Sequence, residues 1–269
     1  MKKLVIINGV TGAIGSACLA YFGSKSDHVV YGISRKAKDY NDFCENGKLP
    51  IATLICSISK EEYPPRMADY FSRAIPAESF SEIYYIHAIG VYPFEVNSQG
   101  NHIVHFDDDM DGIDDRCGVL TKSLFSSFYS KIPSVTGKRM RSFIFGSLAD
   151  KHEPTVHASW WKTIKRLKDS IVEEQKTNMP GIVSVVNISS VLCPNELISR
   201  PFVFSKTDAL PEYWLQPSEV AHFVGTLISV GQSEKFKEYE FFKNKPEFES
   251  DYYKDEKFTP RKMKELFGK

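Results

Sequence analysis

Three glycines near the start of the chain have the spacing of an anion-binding turn. Gly9, Gly12 and Gly15 recur at every third position, after the apolar run Leu4–Ile7 and before small and apolar residues at helical period. This pattern predicts a strand, a tight turn and a helix. The amide N–H groups in the first turn of a helix have no intrahelical acceptors and carry partial positive charge. Such a turn is therefore expected to bind phosphate groups.

Each glycine of the turn has its own predicted role. Gly9 allows the chain to reverse, Gly12 allows a pyrophosphate to approach the backbone, and Gly15 allows the helix to pack closely on the strand. The residues expected to contact such a ligand also include those between the glycines, Thr11, Ala13 and Ile14.

A second apolar run follows at the distance that a βαβ unit requires. The helix is predicted to end near Gly23, and residues His28–Ser34 form the second strand. A glycine turn in this context is typical of dinucleotide binding. We favour that interpretation, and a glycine turn with a purely structural role is the alternative.

Basic residues follow the second predicted strand. Ser34, Arg35 and Lys36 lie where a dinucleotide-binding fold usually has an acidic residue that binds the adenosine ribose hydroxyls of NAD. A guanidinium group with an ammonium group beside it suits the 2′-phosphate of NADP. The sequence therefore favours NADP over NAD, and a solvated pair of charges at a strand end is the alternative.

Strands and helices alternate along the rest of the chain. Further strands are predicted at 49–56, 82–87, 141–147, 181–188 and 239–242, and a late helix opens at Pro217. No repeat, low-complexity tract or Pro/Gly linker divides the sequence. We predict a single α/β domain over residues 1–269, of the Rossmann-type doubly wound class, with a mostly parallel sheet of about seven strands flanked by helices. Residues 250–269 form a charged tail of this domain.

The composition gives no indication of a polyanionic or membrane partner. The 34 basic and 34 acidic residues balance to a formal net charge of zero, so neither nucleic acid nor a membrane is expected as a partner. No apolar run reaches the length of a membrane span. Five cysteines, without a CxxC pair or a His/Cys cluster at zinc spacing, indicate buried thiols in a reducing compartment. The expected location is the cytoplasm.

An acidic run at 106–115 matches the opening of a calcium-binding loop. Asp107, Asp109, Asp111 and Gly112 have the spacing of an EF-hand loop, but its twelfth position is Gly118 where a bidentate Glu is required. A solvated helix N-terminus, where negative charge is favourable, is the preferred interpretation. No metal site is predicted.

Several motifs agree in order and spacing with one family. His87-Ala88-Ile89-Gly90 lies where the short-chain dehydrogenase/reductase superfamily has Asn-Asn-Ala-Gly, and Gly146-Ser147 lies where it has its active-site serine. The glycine turn and the segment 214–221 resemble its nucleotide turn and its late Pro-Glu-Glu-Val-Ala helix start. Over residues 3–231 the chain thus resembles an atypical member of this superfamily.

The resemblance implies specific site residues and an assembly. It implies a nicotinamide cofactor that contacts the glycine turn, residues 87–90 and Ser57, which follows the third strand. It further implies that Ser147 orients a substrate carbonyl or hydroxyl. A homodimer or homotetramer is implied as well, because members of the superfamily often pair through long helices.

The Tyr-x-x-x-Lys dyad of that superfamily is missing from the expected place. In the family the Lys lowers the phenol pKa and the Tyr transfers a proton. Downstream of Ser147 the first tyrosine is Tyr213. One register places His157 and Trp161 on the dyad positions, and a shifted register places Trp161 and Lys165 there.

His157 is the candidate replacement for the tyrosine. An imidazole is suited to proton transfer at neutral pH, and Lys162 would be its cationic neighbour. A capping or surface role for this histidine is the alternative. A hydrolase that uses Ser147 and His157 is disfavoured because no G-x-S-x-G elbow surrounds the serine.

Two functions remain open at this point. One is an NADP-dependent oxidoreductase of atypical short-chain type, acting on a carbonyl or hydroxyl of a small metabolite or nucleotide sugar. The other is a catalytically degenerate NAD(P)-binding protein that serves as a redox sensor or a non-catalytic partner. Residues 190–213 are the predicted substrate-side loop, because ligands of open α/β sheets bind beyond the carboxyl ends of the strands.

Overall fold

The computed structural model of the chain describes a central sheet and two helices that pack on it. The described residues are 2–34, 52–55, 80–88, 94–96, 102–104, 140–147, 169, 173, 181–189, 191–192 and 215–243. The elements with defined bounds are, in chain order, β1 (Lys2–Asn8), α1 (Ala13–Gly23), β2 (His28–Ser34), β3 (Ala52–Ile55), β4 (Phe80–His87), β5 (Phe94–Val96), β6 (His102–Val104), β7 (Met140–Ser147), β8 (Ile182–Ile188), α2 (Pro217–Val230) and β9 (Phe236–Phe241).

Seven of the strands form one parallel sheet in the order β3-β2-β1-β4-β7-β8-β9. The chain moves outward from β1 to β3 and then returns to add β4 on the other side of β1. The strand order therefore reverses between β1 and β4, and in such sheets ligands bind at this switch point. The predicted α/β class, with a parallel sheet of about seven strands, is confirmed.

The apolar runs of the sequence correspond to the strands of this sheet. Each predicted strand is present with its bounds moved by a few residues, as for the fourth, which begins at Phe80. β8 is buried along nearly its whole length, as expected for a strand covered on both faces. Asp169 and Glu173, which precede β8 in the chain, are helical and exposed.

The antiparallel pair β5 and β6 was missed by the sequence prediction. Two short runs, Phe94–Val96 and His102–Val104, flank five residues that include Gly100. A connection of this length with a glycine is itself a hairpin signal. The runs are too short for their periodicity to be distinctive.

Both helices cover the same face of the sheet. Val5, Ile7, Tyr84, Ile86 and Phe143 point from β1, β4 and β7 into a core that also contains the apolar faces of α1 and α2. Side chains alternate between the two faces of a strand, so Ile6, Asn8, Tyr85 and His87 lie on the opposite face. None of the helices within the described residues is long and apolar enough to cross a membrane.

Helices α1 and α2 cross closely at a glycine. A Cβ atom at Gly225 would overlap the ring and hydroxyl of Tyr21. The Tyr21 ring also packs edge-on against the imidazole of His222, with 4.7 Å between ring centroids. This crossing places α2 beside the helix that follows the glycine turn.

Arg141 connects the carboxyl end of α2 to the start of β7. Its guanidinium donates hydrogen bonds to the carbonyl oxygens of Leu227 and Ile228, at 3.1 and 3.3 Å. Those carbonyls lie in the last turn of α2, where intrahelical donors run out and a positive charge is favourable. The guanidinium also lies 5.4 Å from the centroid of the Phe143 ring.

We expect Arg141→Met to lower the free energy of unfolding by about 1.5–3 kcal/mol, the usual range for hydrogen bonds to a charged group. Urea denaturation measures this loss. Lys3→Met is the control, because the Lys3 ion pair with Glu82 is 31% and 49% exposed and such pairs contribute less than about 1 kcal/mol. Equal losses in the two variants would contradict the role given to Arg141.

Candidate functional site

The glycine turn between β1 and α1 has the geometry that the sequence predicts. Gly9 has φ of 85°, in the region that favours glycine. The amide of Gly12 donates to the carbonyl of Gly9 at 3.0 Å and closes the turn. The chain reverses here, at the carboxyl end of β1.

Gly15 allows the first turn of α1 to lie directly against this reversal. A Cβ atom at position 15 would overlap the carbonyl oxygen of Gly9 and lie 2.8 Å from the carbonyl carbon of Gly9 and 2.9 Å from Cα of Val10. All three atoms belong to the backbone, so no side-chain rotation could relieve the overlap. The close approach depends on glycine at this position.

The N-terminus of α1 has no side-chain cap. Gly12 is the N-cap residue, it makes no side-chain hydrogen bond, and the first turn contains no acidic residue. The amide of Ser16 bonds to the carbonyl of Gly12 at 2.8 Å, which leaves the amides of Ala13, Ile14 and Gly15 without intrahelical acceptors. These three donors, with the helix dipole, are suited to a phosphate group.

Gly12 is exposed and lies between two strand ends. A Cβ atom there would be 3.3 Å from the Gly9 carbonyl oxygen and 3.9 Å from that of Ala88. Ala88 directly follows β4, and its amide bonds to the carbonyl of Asn8 at 2.9 Å. The turn thus lies at the switch point, with the end of β4 beside it.

A buried hydrogen-bond chain lies on the far face of the sheet at these strand ends. The Asn8 carboxamide nitrogen lies 3.1 Å from the Tyr85 hydroxyl oxygen, and that oxygen lies 3.4 Å from Nδ1 of His87. Asn8, Tyr85 and His87 are each about 1% exposed. Burial lowers the pKa of His87 to about 4, so its imidazole is neutral at neutral pH.

The carboxyl end of β8 adds two buried polar side chains that the sequence prediction did not include as site residues. Asn187 and Ser189 are 1% and 5% exposed, and among described residues Oδ1 of Asn187 and Oγ of Ser189 have no hydrogen-bond partner. The strand register places Asn187 beside Gly146, on the face of the sheet that carries His87. Polar residues on either side of Ile188, at the carboxyl end of a largely apolar run, are the signal that could have identified them.

The described residues near the two ends of the predicted substrate-side loop, 190–213, lie next to each other. Val191 and Leu215 form a parallel bridge, and the amide of Leu192 bonds to the Leu215 carbonyl at 2.8 Å. Ile14, in the first turn of α1, packs against the cluster that contains Val191 and Leu215. The base of the loop therefore adjoins the glycine turn.

The structure brings together many of the predicted site residues. Those of the turn, with His87, Ala88 and the backbone of Ser147, lie at the carboxyl edge of β1, β4 and β7, where Ser147 is paired with Ile188. Ser34 ends β2 at the same edge. The remaining predicted site residues lie outside the described residues: Arg35, Lys36, Ser57, Ile89, Gly90, His157 and Lys162.

Cys18 has the character predicted for the cysteines. It is a free thiol buried on α1, and burial raises its pKa to about 12. A thiol with this pKa stays protonated and unreactive at neutral pH.

No protein-family model matches the chain, and no curated protein matches it in sequence. Solved structures do match in fold. A short chain dehydrogenase from Salmonella enterica subsp. enterica serovar Typhi str. CT18 has 10% identity and a TM-score of 0.65, over 89% of this chain and 96% of that chain. YwfH, an NADPH-dependent reductase involved in bacilysin biosynthesis, has 11% identity and a TM-score of 0.62, over 90% of this chain and 97% of that chain.

An alcohol dehydrogenase from the archaeon Thermococcus sibiricus, complexed with 5-hydroxy-NADP, has 13% identity and a TM-score of 0.59, over 90% of this chain and 97% of that chain. The similarity extends over nearly the whole length of each of these proteins. It shows that the chain has the fold of the short-chain dehydrogenases.

Alanine at position 15 is expected to disturb packing, whereas alanine at position 12, where a ligand would approach, is expected to change stability little. Gly15→Ala should lower the free energy of unfolding by at least the roughly 1–3 kcal/mol typical of overpacking, because its Cβ meets fixed backbone. Gly12→Ala should cost less than about 1 kcal/mol, because φ is −73° and alanine adopts this conformation readily. Thermal and urea unfolding compare the two, and equal destabilisation would contradict the roles assigned to these glycines.

The low pKa of His87 predicts a loss of stability in mild acid. Between pH 6.5, the ordinary pKa, and about pH 4, the value in the folded protein, the unfolded chain binds a proton that the folded protein does not. Stability from this group is present above pH 6.5 and declines as the pH falls, by up to about 1.4 kcal/mol per pH unit. Urea denaturation from pH 7 to pH 4 should show this slope in the wild type and a shallower slope in His87→Asn. Identical slopes in the wild type and in His87→Asn would contradict the lowered pKa of His87.

Proposed function

We propose that the protein is an NADP-dependent oxidoreductase of atypical short-chain type, acting on a carbonyl or hydroxyl of a small metabolite or nucleotide sugar. The observation that carries this proposal is the N-terminus of α1, which no side chain caps and which begins directly after the exposed Gly12 at the switch point of the sheet. The related folds include an NADPH-dependent reductase and an alcohol dehydrogenase complexed with an NADP derivative.

The residues present suit a nicotinamide dinucleotide. The amides of Ala13, Ile14 and Gly15 would hold the pyrophosphate, and Gly12 leaves space for it to approach. Arg35 and Lys36 directly follow β2 in sequence, where they would meet a 2′-phosphate. When bound, the nicotinamide supplies or accepts a hydride.

The chain's own residues would orient the substrate and move the proton. Ser147 ends β7 at the carboxyl edge of the sheet, and its hydroxyl would orient the carbonyl or hydroxyl of the substrate. His157, with Lys162 as its cationic neighbour, or a water molecule would transfer the proton in place of the missing tyrosine. The segment 190–213, whose base adjoins the turn, would close over the substrate.

A second candidate is a cofactor-binding protein with little turnover. It is favoured by the absence of the Tyr-x-x-x-Lys dyad from the expected place in the sequence. NADPH oxidation by the purified protein, followed by absorbance with a panel of carbonyl metabolites, distinguishes the two. Turnover that His157→Ala abolishes supports the enzyme, whereas tight NADPH binding without turnover supports the second candidate.

We also propose that the protein is cytoplasmic and forms a homodimer or homotetramer. The balanced charge of the sequence, and its five cysteines without a CxxC pair or a zinc-type cluster, support the location. The pairing of short-chain dehydrogenases through long helices supports the assembly. Light scattering of the purified protein gives its mass in solution, and the mass of a monomer would overturn the proposed homodimer or homotetramer.

The choice of cofactor is tested by titration with NADPH and NADH, measured by calorimetry. We expect Arg35→Asp to weaken NADPH binding at least about tenfold, because it replaces a charge-assisted contact to the 2′-phosphate with a repulsive one. NADH binding should change little, because that cofactor lacks the 2′-phosphate.

Lys237→Asp is the matched control for this titration. It makes the same change in charge on β9, where Lys237 is exposed, and it should leave NADPH affinity unchanged. Equal weakening of NADPH and NADH by Arg35→Asp would contradict the role of Arg35. Failure of the wild type to bind either cofactor would overturn the proposed function.

A further inference from the structure

The first turn of α1 packs on the base of the predicted substrate-side loop. At this base Val191 forms a parallel bridge with Leu215, and the amide of Leu192 donates to the Leu215 carbonyl at 2.8 Å. The buried side chains of Val191 and Leu215 form one apolar cluster with Val220 of α2, and Ile14 of α1 packs against this cluster. The glycine turn and the base of the loop are therefore in apolar contact.

The end of this loop at Leu215 is anchored by contacts that do not involve α1. The carboxylate of Glu219 accepts a hydrogen bond from the amide of Gln216 at 2.7 Å, and Lys243 pairs with the same carboxylate at 3.2 Å. Gln216 directly follows Leu215, so these contacts fix Leu215 at the start of α2. Movement at the base of the loop is therefore expected at Val191 rather than at Leu215.

Ile14 combines two features in one residue. Its backbone amide is one of the three in the first turn of α1 that have no intrahelical acceptor, and its side chain reaches the base of the loop. Within the described part of the chain, the other partly buried residues packed on this cluster lie on strands: Phe145, Ile188 and Phe241. A ligand that orders the first turn of α1 through its amides would thus also restrict the side chain of Ile14.

We propose that Ile14 is a positioning residue that couples dinucleotide binding at the glycine turn to the contact between Val191 and Leu215. Binding at the amide restricts Ile14, and the restricted side chain stabilises the base of the loop. Coupling of this kind is reciprocal, so a ligand that stabilises the base of the loop also strengthens dinucleotide binding. The proposal rests on the proposed function, since it requires a dinucleotide at the turn.

The contact is observed through hydrogen exchange at the amide of Leu192, followed by two-dimensional NMR of nitrogen-15-labelled protein. Saturation of the wild type with NADPH should slow this exchange at least about fivefold, the lower end of typical coupling between sites. The amide of Lys25, which donates to the Phe22 carbonyl at 3.1 Å at the far end of α1, is the reference and should change little. Bound NADPH that slows neither amide, or slows both equally, would overturn the proposal.

Two variants weaken the contact from opposite sides. Ile14→Ala shortens the side chain but keeps the backbone amide, and Val191→Ala shortens a member of the cluster without changing the turn. At the same ratio of NADPH concentration to Kd, each variant should reduce the slowing at Leu192 to about twofold or less, because the coupling is lost. Full slowing in both variants, or in whichever of them folds, would overturn the proposal.

Ile228→Ala is the matched control. Ile228 is a buried isoleucine in the last turn of α2 that belongs to the main core and not to the cluster at the base of the loop. This variant loses the same atoms as Ile14→Ala and should keep the full slowing at Leu192. An equal loss of slowing in the two variants would contradict a role specific to Ile14. Failure of the wild type to bind NADPH, measured by calorimetry, would instead overturn the proposed function, and with it this proposal.

Discussion

The close contact between Gly15 and the backbone of Gly9 is the constraint on which the site depends. It holds the first turn of α1 against the end of β1, so that the uncapped amides lie at the switch point of the sheet. The rest of the fold supports this contact: α2 packs on α1 through Gly225 and Tyr21, and β4 lies beside β1 along the whole strand. The amides of a helix N-terminus that no side chain caps bond to water or to a ligand. A phosphate group would satisfy them.

The two faces of the sheet have different roles at this edge. One face is a continuous apolar core beneath α1 and α2. The opposite face carries Asn8, His87 and Asn187 near the carboxyl ends of β1, β4 and β8, all buried. A buried polar atom without a partner is destabilising, and among the described residues Oδ1 of Asn187 has no hydrogen-bond partner.

The sequence was sufficient to predict the sheet and the turn, because both follow from local patterns. Most of the strands contain apolar runs rich in β-branched or aromatic residues, and the three glycines have the spacing of a tight turn. The hydrogen bonds that connect Asn8, Tyr85 and His87 could not be predicted from the sequence. Whether Tyr85 reaches Asn8 depends on the register between β1 and β4, which shifts at Lys2/Lys3, and such a shift has no local signal. The roles of Arg35, His157 and Lys162 stay predictions, since these residues lie outside the described part of the chain.

We propose that the backbone amides at the start of α1 bind the phosphates of a dinucleotide. The two-dimensional amide NMR spectrum of nitrogen-15-labelled protein, recorded with increasing NADPH, tests this at the amides themselves. We expect the amide signals of Ala13, Ile14 and Gly15 to shift most and to saturate together. Saturable binding of NADPH that leaves these three signals unchanged would contradict it.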